Sequence, residues 1–342
     1  MSSDNRPGTP RRHQLVRHVH QPFARLAALA VAVMAGIGSW ALAAPGGSAS
    51  AAVPIQRASG TGSPVQVVAA ENEYGSVAQQ VGGRYAKVSS IETNPNTDPH
   101  TYEVSPRVAR EVSGARLVIQ NGVGYDAFME RIESASPSSA RRVINVQQLL
   151  GLPDSTPNPH LWYKPTTMPK VATAVAADLT KLDPAHRAYF HANAKRFISS
   201  LKPWMTAIAH LKATYPGAPV ATTEPVSDYL LQAAGINNLT PFRFQADIMN
   251  GVDPSPQDVS QERSLFSQHR VKVFVYNQQV TDSLTESFIT DARKAGIPVV
   301  GVYETMPVPG YDYQSWMVAE VHALQSALAN KVSTTRLTGG GA

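Results

Sequence analysis

Apolar residues along the chain form two patterns that alternate. Short runs rich in Val, Ile and Ala predict buried strands, and the stretches between them place apolar residues at helical spacing. The predicted strands cover residues 65–69, 88–91, 116–120 and 142–146 in the first half, and 219–222, 271–276 and 298–302 in the second. Such alternation is typical of a parallel sheet wrapped by helices. The chain therefore predicts an α/β fold with two such units.

The segment between the two halves, residues 184–215, carries apolar residues at helical spacing and predicts a long rigid connecting helix. Pro203 lies inside it and predicts a kink or a break there. The resulting division is a leader or signal peptide (1–44), a flexible spacer rich in Gly, Ala, Ser and Pro (45–63), an N-terminal metal-binding lobe (64–183), the connecting helix (184–215), a C-terminal lobe (216–332) and a disordered tail (333–342).

Composition narrows the possible functions. The 342 residues, 43% of them hydrophobic, are enough for two domains with cores of their own. Most of the net charge of +5 comes from residues 1–44, which hold five arginines and one acidic residue, Asp4. The remainder is nearly neutral, so it lacks the concentrated basic surface that nucleic-acid binding needs. We therefore expect no nucleic-acid partner.

The first 44 residues have the order of an export signal: a basic segment, an apolar run over residues 26–42, and small residues at 41–44. An uncleaved membrane anchor is the alternative, because the run is nearly long enough to span a membrane. The sequence contains no cysteine, which removes disulfides, thiolate ligands and lipidation through cysteine. We expect an exported protein, in the periplasm or on the extracellular face of the cytoplasmic membrane.

Two short stretches repeat one another: Asp-Pro-His-Thr-Tyr-Glu at residues 98–103 and Asn-Pro-His-Leu-Trp at residues 158–162. In each, proline directly precedes histidine, which restricts the backbone and presents the imidazole from a stiff loop. The alternative is that the two histidines lie in unrelated surface loops and have no shared role. As a pair, His100 and His160 make half of a transition-metal site.

Two acidic residues follow predicted strands of the second half: Glu224 comes soon after residues 219–222, and Glu304 after residues 298–302. Ligands of parallel α/β sheets bind at the carboxyl ends of the strands. Each acid alone is more often a solvated loop carboxylate or a charge at a helix N-terminus than a ligand. Together with the two histidines, they are able to close a four-ligand site across a cleft.

With these motifs the chain resembles the metal-specific solute-binding proteins of ABC transporters (cluster A-I, bacterial solute-binding protein family 9), which are extracytoplasmic zinc and manganese receptors. The similarity runs from Val65 to Leu328 and is carried in family order by residues 98–103, by Asn-Gly-x-Gly-Tyr-Asp-x-Phe-Met at 121–129, by residues 158–162 and by Thr-Glu-Pro at 223–225. It implies two α/β lobes joined by one long rigid helix.

The resemblance also implies a ligand set. His100 and His160 match the two ligands of the amino-terminal lobe, and Glu224 matches the third, which is histidine in many zinc receptors and glutamate in many manganese receptors. The fourth ligand is usually an aspartate, and Glu304 stands at the matching place. The chain also lacks the lipidation cysteine and the His- and acid-rich loop of some zinc receptors.

Two imidazoles and two carboxylates suit Zn²⁺ or Mn²⁺. We therefore predict a monomeric receptor, with no catalytic residue, that captures one of these ions and delivers it to a membrane permease powered by an ATPase. A secreted zinc metallohydrolase with the same ligands and an open coordination position is the first alternative. A surface adhesion protein that keeps the same fold is the second.

Overall fold

The structure, a computed structural model, describes residues 63–307 and 309–338. The predicted leader, all but the last residue of the predicted spacer and residues 339–342 of the predicted tail lie outside the described residues. Within the described part of the chain, no helix is both long and apolar enough to cross a membrane.

The first half of the described chain forms a four-stranded parallel sheet with the strand order β2-β1-β3-β4. Both faces of its middle strands are buried, as parallel strands covered by helices require. We call this sheet and its helices the N-terminal lobe. Its elements are β1 (Val65–Glu71), α1 (Asn72–Gly82), β2 (Ala86–Glu92), α2 (Pro106–Gly114), β3 (Leu117–Gln120), α3 (Ala127–Ala135), β4 (Arg142–Asn145), α4 (Val146–Leu150) and α5 (Thr167–Leu182).

The connecting segment consists of two helices, α6 (Arg187–Ser200) and α7 (Lys202–Thr214). They meet at Leu201, directly before the first turn of α7, which contains Pro203. Proline is tolerated in a first turn but not inside a helix, because it lacks the backbone N–H and clashes with the preceding turn. The single long helix predicted over residues 184–215 is therefore corrected to two helices, and the break between them falls next to the proline that predicted it.

The second half repeats the first, because its parallel sheet has the strand order β6-β5-β7-β8. We call this sheet and its helices the C-terminal lobe. Its elements are β5 (Pro219–Thr222), α8 (Asp228–Ala233), β6 (Asn237–Asn238), α9 (Phe242–Met249), α10 (Pro256–Ser267), β7 (Val273–Asn277), α11 (Ser283–Lys294), β8 (Val299–Val302) and α12 (Tyr313–Asn330). The predicted fold class, two parallel sheets wrapped by helices, is confirmed.

The sequence pattern did not predict three short elements: α4, β6 and α9. The strand β6 has only two residues, both asparagine, and it pairs with Pro219 and Val220 of β5. A polar strand of this length has no apolar periodicity. Its existence depends on the neighbouring strand, which offers free backbone groups.

The prediction of a disordered tail is wrong for residues 333–338. The backbone N–H of Thr334 donates to the carbonyl of Val299 (3.0 Å), and the N–H of Gly301 donates to the carbonyl of Thr334 (2.9 Å). These bonds place the segment along β8, the outer strand of its sheet. An outer strand presents unpaired backbone groups, and the tail satisfies some of them.

The two lobes meet at the ends of their strands. The side-chain amide of Asn72, just after β1, donates to the carbonyl of Met306 (2.8 Å) and accepts from its N–H (3.0 Å). The hydroxyl of Tyr163 donates to the carbonyl of Tyr303 (2.8 Å), and that of Tyr313 donates to the carbonyl of Trp162 (2.6 Å). The loops that follow the strands of both sheets therefore come together.

Candidate metal centre

The two repeated Pro-His stretches share one local hydrogen bond. The side chain of Asp98 accepts a hydrogen bond from the backbone N–H of His100 (2.8 Å), and Asn158 accepts one from the N–H of His160 (3.0 Å). Asp and Asn commonly close such turns, because their short side chains reach the backbone two residues on. Each histidine is thus held by its own loop before any contact with the other lobe.

The imidazoles of both histidines converge on one oxygen atom of the other lobe. Nε2 of His100 lies 3.2 Å from Oε2 of Glu304, and Nε2 of His160 lies 3.1 Å from the same oxygen. One ligand atom from each of these three residues lies within 4.8 Å of the other two. Glu304 follows β8, so the cluster joins the N-terminal lobe to the C-terminal lobe. Three of the four residues predicted from the sequence therefore come together.

Glu224, the fourth predicted residue, lies beside this cluster but is not part of it. The amide nitrogen of Asn277 donates to Oε1 of Glu224 (3.2 Å) and to Oε1 of Glu304 (2.6 Å). Oε2 of Glu224 is buried and has no hydrogen-bond partner among the described residues. Asn277 thus holds both glutamates near one another, and one carboxylate oxygen is left free.

Nε2 of His100 is also without a hydrogen-bond partner in the described structure, since its contact with Glu304 lacks hydrogen-bond geometry. Leaving a buried polar atom unpaired costs free energy. A nitrogen lone pair and a carboxylate oxygen in one buried place are the donors that a divalent transition metal uses. The residues present therefore fit a metal cation.

The protonation of the site follows from burial and from Glu304. Burial alone would raise the pKa of Glu304, but the two adjacent histidines outweigh burial and hold this pKa below its ordinary value. Burial lowers the pKa of His160. It also acts to lower the pKa of His100, but there the carboxylate of Glu304 prevails and the pKa is raised. Burial, followed by the charge of Glu304, raises the pKa of Glu224 well above its ordinary value.

Three residues that complete the site were not predicted from the sequence. The hydroxyl of Tyr125 donates to Oε2 of Glu304 (2.9 Å). Asn277 is the last residue of β7, and Oε1 of Gln279 accepts from the backbone N–H of Glu304 (2.7 Å). Asn277 lies at a strand end, like the predicted acids, so applying the strand-end rule to amides as well as carboxylates would have found it.

Aromatic side chains close the site around His160. The ring of Trp162 is fully buried and packs edge-on against His160, with 5.4 Å between ring centroids. Tyr125 packs edge-on against Trp162, with 5.2 Å between ring centroids. An apolar wall of this kind limits water access and lowers the local dielectric around a bound ion.

Asn158 also orients the ring of His160, because its Oδ1 lies 2.8 Å from Nδ1 of that ring. This contact fixes which ring nitrogen faces Glu304. Replacing Asn158 with alanine is expected to lower metal affinity about 10- to 100-fold, the usual effect of losing a partner that orients a ligand. Competition with a chelator measures it. The exposed Asn330→Ala substitution at the end of α12 is the matched control, and an equal loss in both variants would contradict the orienting role.

Taken together, the fold and the site define a two-lobed binding protein for a metal cation. The chain belongs to the ZnuA family, described as "Zinc-uptake complex component A periplasmic", whose family model matches residues 67–327. Membership confirms the predicted class, the metal-binding component of an ABC uptake system.

The chain is similar to relatives whose names refer to different metals. It is 24% identical to the iron-binding protein YfeA of Yersinia pestis. The alignment of 308 residues covers 87% of this chain and 94% of YfeA. It is 22% identical to the manganese-binding lipoprotein MntA of Bacillus subtilis, over 68% of this chain and 77% of MntA. The structure of FpvC from Pseudomonas aeruginosa in complex with Mn²⁺ superposes with a TM-score of 0.65 at 20% identity, over 78% of this chain and 99% of FpvC.

Proposed function

We propose that this protein binds a divalent transition metal, Zn²⁺ or Mn²⁺, through His100, His160, Glu224 and Glu304, and delivers it to an ABC permease. The observation that supports this most strongly is the convergence of two imidazole nitrogens from one lobe on a carboxylate oxygen from the other. The imidazoles come from the N-terminal lobe and the carboxylate comes from the C-terminal lobe, so the donor set needs both lobes. Metal would therefore join the lobes.

The fourth ligand in this proposal is Glu224. Its free, buried Oε2 and its shared contact with Asn277 support the assignment. Binding would need this carboxyl group to lose its proton and turn towards the ion. A stiff connecting segment would keep the accompanying lobe movement small, so release would need the permease to separate the lobes or protons to compete for the histidines.

The donor set agrees with both Zn²⁺ and Mn²⁺. Intrinsic affinities of nitrogen and oxygen ligands favour Zn²⁺ over Mn²⁺, so binding Mn²⁺ in the cell would depend on supply and on the permease. The family description refers to zinc, whereas MntA and FpvC are named or solved with manganese. We propose Zn²⁺ or Mn²⁺ as cargo, not as a catalytic cofactor.

The finer features of the receptor are proposals of the same kind. We propose a monomer with no nucleic-acid partner, outside the cytoplasmic membrane and not attached through a lipidated cysteine, in keeping with the absence of cysteine from the sequence. We also propose that it has no hydrolase activity. Burial supports this, since His160, Glu224 and Glu304 are at most 3% exposed and leave a substrate little access to the ion.

Elemental analysis of protein purified without chelator tests the proposal. We expect one Zn²⁺ or Mn²⁺ per chain in the parent protein, and loss of that metal in His100→Ala. His210→Ala, which changes an exposed histidine on α7, is the matched control and should keep the metal. A parent protein that carries no metal and binds none on addition would refute the proposed function. Turnover of ester or peptide substrates by zinc-loaded protein would favour the hydrolase instead.

A further inference from the structure

A cavity of about 330 Å³ lies next to the candidate metal centre and is lined mainly by residues of the N-terminal lobe. Its lining includes Pro99, which precedes His100, and Thr305, which follows Glu304. It also includes three acidic residues: Glu92, Asp98 and Glu103. None of the described residues that line it is basic. The cavity is therefore lined by three carboxyl groups and adjoins the loops that hold His100 and Glu304.

His100 is the open side of the metal centre. Its side chain is 21% exposed, whereas the side chains of His160 and Glu304 are fully buried. Trp162 and Tyr125 pack edge-on against His160. His100 is therefore the most exposed member of the cluster, and its chain neighbours Asp98 and Pro99 line the cavity.

Glu92 supplies an independent indication of a ligand. It is the last residue of β2 and is only 6% exposed, yet neither of its carboxylate oxygens has a hydrogen-bond partner in the described structure. A buried carboxylate without a partner is costly unless it carries a proton or binds a cation. Burial raises the pKa of Glu92 to about 9, so this group keeps its proton until a cation displaces it.

The size of the cavity suits a hydrated ion. A liquid water molecule occupies about 30 Å³, so the space admits an ion with a shell of about six waters. Carboxylate and hydroxyl oxygens are hard ligands, which bind divalent cations together with their water. The inner site, with its two imidazoles, suits an ion that has lost this water. The cavity therefore suits the hydrated ion, and the metal centre suits the ion after it has lost its water. An ion that moves inward would meet them in this order.

We propose that this cavity is an acidic vestibule, in which Glu92, Asp98 and Glu103 transiently hold a hydrated divalent cation before it passes His100 to the metal centre. The proposal rests on the proposed function, because it assumes that the inner site takes up metal. The vestibule acts on the rate of capture rather than on the stability of the final complex. Charged clefts raise association rates in this way.

Stopped-flow mixing with Mn²⁺, followed by tryptophan fluorescence, tests the vestibule in the full-length protein. We expect Glu92→Gln and Glu103→Gln each to lower the association rate constant about 3- to 10-fold, while metal stoichiometry is unchanged and equilibrium affinity changes less than about twofold. Glutamine keeps the size of the side chain but cannot release a proton to a cation. Glu286→Gln, an exposed residue of α11, is the control and should leave the rate unchanged.

Salt provides a second measurement in the parent protein. Raising ionic strength from about 0.01 M to about 1 M shortens the Debye length from about 30 Å to about 3 Å, and should slow association in the parent more than in Glu103→Gln. This comparison stands even where Glu92→Gln does not fold, because Glu103 is exposed. A normal parent signal with unchanged rates in Glu103→Gln, or a loss of equilibrium affinity at an unchanged rate, would overturn the vestibule alone. A parent protein with no Mn²⁺ signal would overturn the proposed function as well.

Discussion

Replacing Glu304 with glutamine is expected to lower metal affinity about 100-fold or more, equivalent to about 3 kcal/mol. Oε2 of Glu304 lies within 3.2 Å of Nε2 of both imidazoles, and its carboxylate is fully buried. Glutamine keeps the shape of the side chain but removes the negative charge that the proposed site offers to a cation. Isothermal titration with Mn²⁺, or chelator competition with Zn²⁺, measures the loss.

Glu262→Gln is a matched control for Glu304→Gln. Glu262 is also fully buried in the C-terminal lobe, but it accepts a hydrogen bond from Thr240 and is not in the metal cluster. We expect its substitution to change metal affinity less than about threefold, within the range of indirect effects. If Glu304→Gln binds metal as tightly as Glu262→Gln does, Glu304 is not a ligand.

Metal affinity is expected to increase as pH rises from about 5 to about 7.5, because metal and protons compete for the same ligands. The raised pKa values of His100 and Glu224 mean that both hold protons in the metal-free site over part of this range. His160, whose pKa is lowered, and Glu304, whose pKa is also lowered, need no proton removed near neutrality. Metal binding therefore releases up to two protons. Where both His100 and Glu224 are protonated, metal affinity should rise by up to about 100-fold per pH unit.

Chelator competition at several pH values and constant ionic strength measures this slope. Glu224→Gln should reduce the slope by up to one proton, whereas Glu286→Gln should keep the parent slope. An affinity that stays constant across this pH range would contradict proton competition at the site. An unchanged slope in Glu224→Gln would mean that Glu224 does not exchange its proton for metal.

Comparing the two acidic residues shows where sequence reasoning reached its limit. Both follow strands of the C-terminal lobe, so the strand-end rule predicted both at the same edge. It could not predict that Glu304 would contact both histidines while Glu224 would be held by Asn277. The difference depends on how loops of two lobes pack, and no local pattern encodes that packing.

The residues that contact the proposed ligands also differ in how far they lie from them in sequence. Asn158 lies only two residues before the histidine that it orients, so the repeated motif already contained the information. Tyr125 and Glu304, in contrast, are 179 residues apart and meet only in the folded protein. The tail is a similar case, since its polar composition predicts disorder but the outer strand β8 supplies backbone partners.

By itself, the sequence determined the strands other than β6, most of the helices, the break near Pro203 and the two Pro-His turns. These features arise from apolar periodicity, from the fixed geometry of proline and from hydrogen bonds between residues two or three apart. The tertiary structure alone decided which carboxylate lies against the imidazoles, because His160 and Glu304 are separated by 144 residues and belong to different lobes. Burial at that contact then set the protonation of the site, since a pKa responds to neighbours and solvent rather than to sequence order.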